Sequence, residues 1–292
     1  MPSLDDLKKR IKSVKSTQKI TKAMKMVAAA KLKKAQDNAE KGRPYSEKIQ
    51  NVILNLTKCI SDPTNAPKLL IGNGNDKVYL CLVMTADRGL CGGFNTNICK
   101  LAKQKIRKML SDNKKIKIIT VGSKGHDQIK NEFGDYIIEN FSFKDKKQIT
   151  FNEANDIGKK IIDLFEKDQF DKCYIFYNNF KNVITQVPCS EQLIPAPINE
   201  KKSDKDELSG YMFEPDEDEI LEDLLPKNIS TQIFKAFLEN AASEQGSRMT
   251  AMDNATRNAG DLVDKLTINY NRSRQASITK ELIEIISGAE SL

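Results

Sequence analysis

The chain has no run of about 18 consecutive apolar residues, so no segment reads as a membrane-spanning helix. It has one histidine, His126, and no CxxC pair among Cys59, Cys81, Cys91, Cys99, Cys173 and Cys189. No zinc site is therefore expected, and a catalytic triad has little to draw on. No GxGxxG fingerprint follows a candidate strand, and GxxxxGK[ST] is absent, which removes the two common phosphate-cradling loops. The acidic run EPDEDEILEDLLP (Glu214–Pro226) lacks the spaced ligands and central glycine of a calcium loop. The reading is thus of a chain with no catalytic, cofactor or metal site of its own. The start MPSLDDLKKR lacks the apolar core of a secretory signal, and its early Asp5 and Asp6 do not suit a transit peptide. Cys81 and Cys173 lie in apolar runs, which suits buried thiols in a reducing compartment.

Proline and glycine are missing where they inform most. Residues Ser3 to Lys41 contain neither, and Lys227 to Leu292 contain no proline and three glycines. Both stretches read as long helices. Ser3 followed by Asp5 and Asp6 is a helix start, with a capping hydroxyl and carboxylates in the first turn. Leu4, Leu7, Ile11 and Val14 follow at coiled-coil spacing. Gln18 and Thr21 keep that register, while Ile20, Met24, Val27 and Ala28 are expected to shift the stripe. Ala28, Ala29, Ala30, Ala35 and Ala39 allow close helix approach. Gly42-Arg43-Pro44 is expected to bend the helix, which resumes from Tyr45 to Cys59. At the other end Pro226 marks the expected helix start. Seam segments follow at Ile229, Ile233, Phe237 and Ala241, at Leu262, Leu266 and Tyr270, and at Ile278, Leu282, Ile285 and Ala289. The uninterrupted parts would reach roughly 58 Å and 99 Å. Neither helix can bury its stripe alone, so the reading pairs them as an antiparallel coiled coil. The alternative, two separate helices packed on one globular domain, fits poorly with their length.

Between the ends, VYLCLVM (Val78–Met84) reads as a strand buried on both faces. TADRGLCGGFN then leads into a helix around Thr96 to Leu110. KIKIITV (Lys115–Val121) is a second strand, followed by GSKGHD and a short helix. Tyr136 to Phe143 reads as a third strand, Asn152 to Lys167 as a helix and KCYIFY (Lys172–Tyr177) as a further strand. Val183 to Leu193 returns antiparallel. The fold class is α/β: a long antiparallel coiled coil of N- and C-terminal helices plus a central Rossmann-like α/β domain. The expected divisions are residues 1–60, a first shaft helix; 70–200, the α/β domain; 201–226, an acidic connection; and 227–292, a second shaft helix.

The formal net charge of +7 is unevenly spread. Residues 1–50 hold fourteen Lys/Arg against five Asp/Glu, and residues 201–225 hold ten Asp/Glu against three Lys. A basic arm fits nucleic acid, an anionic membrane face or an acidic protein partner. Nucleic acid is disfavoured because no aromatic residue precedes Tyr45, which leaves bases nothing to stack on. A small-molecule enzyme would need a pocket near Cys91-Gly92-Gly93, where no titratable constellation is visible.

Four segments carry a family resemblance. SLDDLKKRIKSVKSTQKITKAMKMVAAAKLKKAQ (Ser3–Gln36), TADRGLCGGFN (Thr85–Asn95), SEQGSRMTAMDNAT (Ser243–Thr256) and ITKELIEIISGAES (Ile278–Ser291) resemble, in order and end to end, the gamma subunits of F-type ATP synthases. The resemblance implies the central shaft of a rotary motor for ATP synthesis and hydrogen ion transport. The implied partners are an alpha3beta3 hexamer, an epsilon subunit and a c-ring, with peripheral membrane attachment through the complex. It further implies that Met24 faces the beta subunits and that Arg248 lies at the level of the shaft's polar contacts. Arg274, Gln275, Thr279 and Glu281 match positions that touch the beta-subunit catch region. The chloroplast form carries an inserted cysteine pair before the last helix. Pro195–Pro226 here holds no Cys, so no thiol switch is expected. The direct start at MPSLDD favours a bacterial subunit on the cytoplasmic side of the cell inner membrane. A processed mitochondrial chain on the matrix side is the alternative.

Overall fold

A computed structural model describes residues 3–59, 67–146, 149–197 and 217–290. Six helices and five strands run α1 (Leu4–Cys59), α2 (Lys68–Ile71), β1 (Val78–Met84), α3 (Phe94–Ser111), β2 (Lys115–Val121), α4 (Ser123–Phe133), β3 (Ile137–Phe141), α5 (Phe151–Glu166), β4 (Lys172–Phe180), β5 (Gln186–Ile194) and α6 (Glu217–Glu290). The chain divides into two units, Met1–Ala30 with Arg248–Leu292, and Lys31–Ser247.

In the first unit α1 opens on a reciprocal cap. The Asp6 amide donates to Ser3 Oγ at 3.1 Å and the Ser3 amide to Asp6 Oδ2 at 3.3 Å. The inward positions are Leu4, Leu7, Ile11, Val14, Gln18, Thr21 and Ala28, and on α6 Met252, Thr256, Ala259, Val263, Leu266, Tyr270, Ser273 and Ser277. These follow an alternating three–four spacing, the mark of a left-handed coiled coil. Thr21 Oγ1 and Thr256 Oγ1 meet at 2.8 Å, and Lys25 reaches Asp253 at 2.6 Å. Rising numbers on one helix meet falling numbers on the other, so the pair is antiparallel. The expected shift of the stripe is seen only in part: Met24 is half-buried and Ala28 is buried, but Ile20 and Val27 face solvent, and Leu262 yields its place to Val263. Polar Gln18 and Thr21 hold the seam because each finds a partner across it. Gln18 Nε2 lies 3.5 Å from Thr256 O, and Gly260 leaves room for that amide.

In the second unit the strand order is β3-β2-β1-β4-β5, parallel except for β5, which runs antiparallel to β4. β1 is central, and its alternate side chains feed two cores. Leu80, Leu82 and Met84 pack with Ala154, Ile157 and Ile161 of α5 and with Ile229, Ile233 and Phe237 of α6. Tyr79, Cys81 and Val83 pack with Ile98, Ala102 and Ile106 of α3 and with Ile129 of α4. Ile229, Ile233 and Phe237 therefore serve the sheet rather than the coiled-coil seam expected of them. A third cluster joins Ile53 and Leu56 of α1 to Leu221 and Leu225 of α6. α5 crosses α6 at Gly158, where an added Cβ would lie 2.6 Å from Ser230 Oγ.

Two helix boundaries differ from expectation. Pro226 lies inside α6, which already runs from Glu217, and Pro44 lies inside an unbroken α1. An internal proline costs a hydrogen bond and a clash. Buried Leu221 and Leu225 hold the turn before Pro226, and Pro44 sits on the exposed side of α1. Most of the expected acidic connection, residues 201–216, lies outside the described residues. Cys81 and Cys173 are buried as expected, and burial pushes the Cys81 thiol up to about 12.

The carboxyl ends of β1 and β2 meet at Gly122. Its φ is +93°, and a Cβ there would sit 2.4 Å from Thr85 O. Gly122→Ala should therefore lower the unfolding free energy by roughly 2–5 kcal/mol through backbone strain and overpacking. A denaturant midpoint unchanged from the parent chain would refute this close approach.

Candidate functional site

An open α/β sheet normally binds ligands outside the carboxyl ends of its strands, where the strand order reverses. In this sheet that place lies beside β1, between β1 and β4, because β2 and β3 build to one side and β4 and β5 to the other. The β1–β4 ladder ends at the Val83–Phe176 pair, while β4 continues to Phe180. Four side chains from the two long helices occupy the edge of β4 that β1 leaves open. Asn240 Oδ1 accepts from the Asn178 amide at 2.8 Å and Ser243 Oγ donates to Asn178 O at 3.3 Å. Glu239 Oε2 accepts from the Phe180 amide at 2.9 Å and Arg43 Nη2 donates to Phe180 O at 3.0 Å. Asn240 Nδ2 also donates to Met84 O at 3.1 Å, so its carboxamide continues the ladder between the two strands. Arg43 Nε meets Glu239 Oε1 at 2.7 Å, and the hydrogen bond to that carboxylate raises the pKa of the guanidinium. Ser247 Oγ donates to Cys91 O at 2.6 Å a turn further on.

The neighbouring seat, the N-terminus of α4, is filled as well. Asp87 accepts from the Ser123 amide at 2.9 Å, from Ser142 Oγ at 2.8 Å and from the Phe143 amide at 3.0 Å. An anion would otherwise be favoured at this helix start. Burial alone would raise the Asp87 pKa, but the donated hydrogen bonds outweigh it and hold the carboxyl below its usual value. Among the described residues no group of His, Cys, Asp and Glu is placed to hold a metal ion, and no helix is long and apolar enough to cross a membrane. His126 is half-buried, its Nδ1 3.3 Å from Thr120 Oγ1, a buried hydroxyl that donates to Asn140 Oδ1 at 3.0 Å.

The chemistry-free sheet directs attention to the helix surfaces of the first unit. Counting back from Thr21 opposite Thr256, Leu4 falls level with Ser273. α6 beyond Ser277 thus has no α1 residue to pack on, and Ile278, Leu282, Ile283, Ile285 and Ile286 are 49–68% exposed. Arg274, Gln275, Thr279 and Glu281 are all exposed and share this end. At helical spacing Arg274 stacks toward Ile278 and Ile285, and Gln275 toward Thr279, Leu282 and Ile286. Thr279 Oγ1 donates to Gln275 O at 3.0 Å, and Glu281 accepts from Ser277 Oγ at 3.3 Å. Met24 and Arg248 are half-buried and lie at the other end of the unit, Arg248 roughly 39 Å along α6 from Arg274. The structure therefore gathers four of the six candidate residues and leaves two apart.

A family model described as ATP synthase matches residues 3–292. The ATP synthase gamma chain of Pelagibacter ubique is 70% identical over the whole of both chains, and that of Rhizobium etli is 55% identical over the whole of both. The chain belongs to the ATP synthase gamma-chain family. A solved central stalk and c-ring structure of the Tetrahymena thermophila mitochondrial ATP synthase contains a similar chain. The likeness has a TM-score of 0.60 at 27% identity and covers 81% of this chain and 99% of that one. A chain of the Euglena gracilis mitochondrial enzyme shares the fold with a TM-score of 0.67 at 21% identity, covering 99% and 94%. Family membership leaves the closed sheet crevice to be explained by this chain's own residues. Sequence reasoning missed Arg43, Asp87, Glu239, Asn240 and Ser243. The one available signal was polar residues at Glu239, Asn240 and Ser243 beside the buried stripe Ile229, Ile233 and Phe237.

A depressed pKa at Asp87 has a defined pH signature. The stability it adds is complete above the ordinary value near about 3.9 and is lost as the pH falls through the lower folded value. Asp87→Asn should cost roughly 1–3 kcal/mol at neutral pH and make the acid limb of the stability curve shallower. An acid limb identical to that of the parent would show that this carboxylate is not bound as described.

Proposed function

We propose that this chain is the central rotor shaft of an F-type ATP synthase and that its moving surface is the antiparallel pair of terminal helices. Its partners are an alpha3beta3 hexamer around those helices, and an epsilon subunit and c-ring engaged by the α/β unit. Proton flow turns the c-ring, the shaft turns with it, and its asymmetry drives the beta subunits through different nucleotide affinities. The nucleotide chemistry then belongs to the beta subunits, consistent with a sheet crevice filled by the chain's own side chains. The complex is placed peripherally at the cytoplasmic side of a bacterial inner membrane, in keeping with the bacterial relatives. The divisions read from the sequence map onto this: residues 1–60 and 227–292 as shaft, 70–200 as the coupling domain and 201–226 as their connection.

The observation that carries the reading is the bare end of α6. Five large apolar residues within nine positions are exposed there, beyond the last α1 residue that could face them. Such a patch marks a protein surface meant to be covered. The flanking Arg274, Gln275, Thr279 and Glu281 are the proposed beta-subunit contacts, with Met24 and Arg248 contributing lower on the shaft. Any single exposed pair is worth about 0–1 kcal/mol, so torque is carried by shape and many contacts together.

Two outcomes are expected. The combined change Leu282→Asp and Ile285→Asp alters exposed positions and should leave the chain's own stability within about 0.5 kcal/mol. It should nevertheless weaken co-purification with the hexamer and lower coupled ATP synthesis; normal assembly and coupling would sink the shaft reading. In a complex carrying Gln275→Cys, a complete disulfide to a cysteine in the beta catch region should stop coupled turnover reversibly, and full turnover in the crosslinked state would remove Gln275 from the contact set.

A further inference from the structure

The same four side chains that close the sheet crevice point to a second role, which rests on the rotor reading. Backbone groups buried away from water must be paired, and in a strand the amide and carbonyl of one residue face the same side. On β4 beyond the end of β1, those residues are Asn178 and Phe180. All four of their groups on that side are paired by helix side chains: Asn240 and Ser243 at Asn178, Glu239 and Arg43 at Phe180. The helices thus act as the missing neighbour strand. Arg43 comes from α1 while Glu239, Asn240 and Ser243 come from α6, so both long helices are bonded to one strand end and to each other. The Glu239 side chain is only 3% exposed, while Arg43 reaches it from the rim with 36% of its side chain exposed. Directional hydrogen bonds resist sliding and rotation in a way that an apolar contact, being non-directional, does not.

We propose that this clasp of Arg43, Glu239, Asn240 and Ser243 on the β4 edge is the joint that transmits torque between the α/β unit and the two long helices. The apolar clusters give the docking its stability, and the clasp fixes the angle at which the helices are held. A weakened clasp lets the joint yield under load while leaving the chain folded and assembled.

The test uses the complete complex reconstituted in sealed vesicles, with Glu239→Gln and Asn240→Leu introduced separately. Ile161→Val, a mild change in the sheet core, serves as the control for lost stability. Two quantities are read: hydrogen exchange of the segment containing the Asn178 and Phe180 amides, and the proton gradient sustained per ATP hydrolysed. Each clasp variant should raise exchange at those amides by about 5- to 30-fold. The gradient held against load should fall, while hydrolysis without a gradient stays close to the parent rate. Ile161→Val should leave the ratio unchanged. Raised exchange with an unaltered ratio would overturn the clasp as a torque joint, and so would exchange that does not rise. A parent complex that assembles but does not couple hydrolysis to pumping would instead refute the rotor reading itself.

Discussion

Every buried amide and carbonyl needs a partner, and at the upper edge of β4 the sheet does not provide one. β1 stops at Met84, and β4 goes on for four residues past its last pairing with β1 at Phe176. An unpaired buried backbone group costs about 1–3 kcal/mol, and this edge has four. Much else follows from how they are met. α6 must present Glu239, Asn240 and Ser243 inward at the point where a purely apolar helix would dock more simply. α1 must bring Arg43 to the same place, because a carboxylate this deeply buried needs a cation beside it. The position of both helices on the sheet is thereby set to within a hydrogen bond's length.

The two units hold their helices by different means. In the first, the seam is narrow and only partly apolar. Leu7, Ile11 with Leu266, and Val14 with Val263 give the hydrophobic layers, and Thr21 with Thr256 gives a polar one. A hydroxyl pair adds little free energy, but a polar residue in a seam discriminates between registers. Thr256 Oγ1 also lies 2.7 Å from Met252 O and Thr21 Oγ1 3.1 Å from Gln18 O, so each hydroxyl is anchored to its own helix as well as to the other. In the second unit α6 is buried nearly all round: Asn228 to Ile233 are all shielded, between the sheet core and their surroundings. One helix of 74 residues thus passes from a wholly buried setting to a bare end. Its average amphipathicity is weak for that reason, since no single face is buried along its length.

This change of setting governs what the sequence could reveal. The central strands are legible as buried apolar runs, whereas β4 runs three residues past its expected end at Tyr177, through polar Asn178 and Asn179. The Val78–Met84 run is apolar on both faces and is buried on both. The heptad from Leu4 to Val14 was equally plain. Past Gln18 the polar residues Gln18 and Thr21 keep the register as the spacing indicates, and apolar content is the poor guide, since the more apolar Ile20 and Val27 face solvent. Pro226 reads as a helix start because local propensity opposes a helix running through it, and packing by Leu221 and Leu225 overrides that. The clasp could not be read at all. Its members stand nearly 200 positions apart in sequence, and nothing in the spelling of Glu-Asn-Ala-Ala-Ser says that a strand end awaits it. The candidate contacts at Arg274, Gln275, Thr279 and Glu281 came from motif likeness alone, since exposed polar residues on a helix carry no signal of their own.

A doubly wound sheet is often taken to imply a nucleotide, yet fold and function are separable. Here the separation has a physical form. A ligand site at the strand ends requires free backbone donors, a glycine-lined approach and an uncovered crevice. At the start of α4 the amides of Ser123, Lys124 and Gly125 go to Asp87 Oδ1, Ala86 O and Thr85 Oγ1, and Asn240 bridges the gap between β1 and β4. The amides at the start of α4 are taken by the loop after β1, and the open edge of β4 is taken by the long helices, so the strand ends serve attachment within the chain. An empty crevice would be a hinge between the sheet and its long helices, whereas a filled one is a rigid seat.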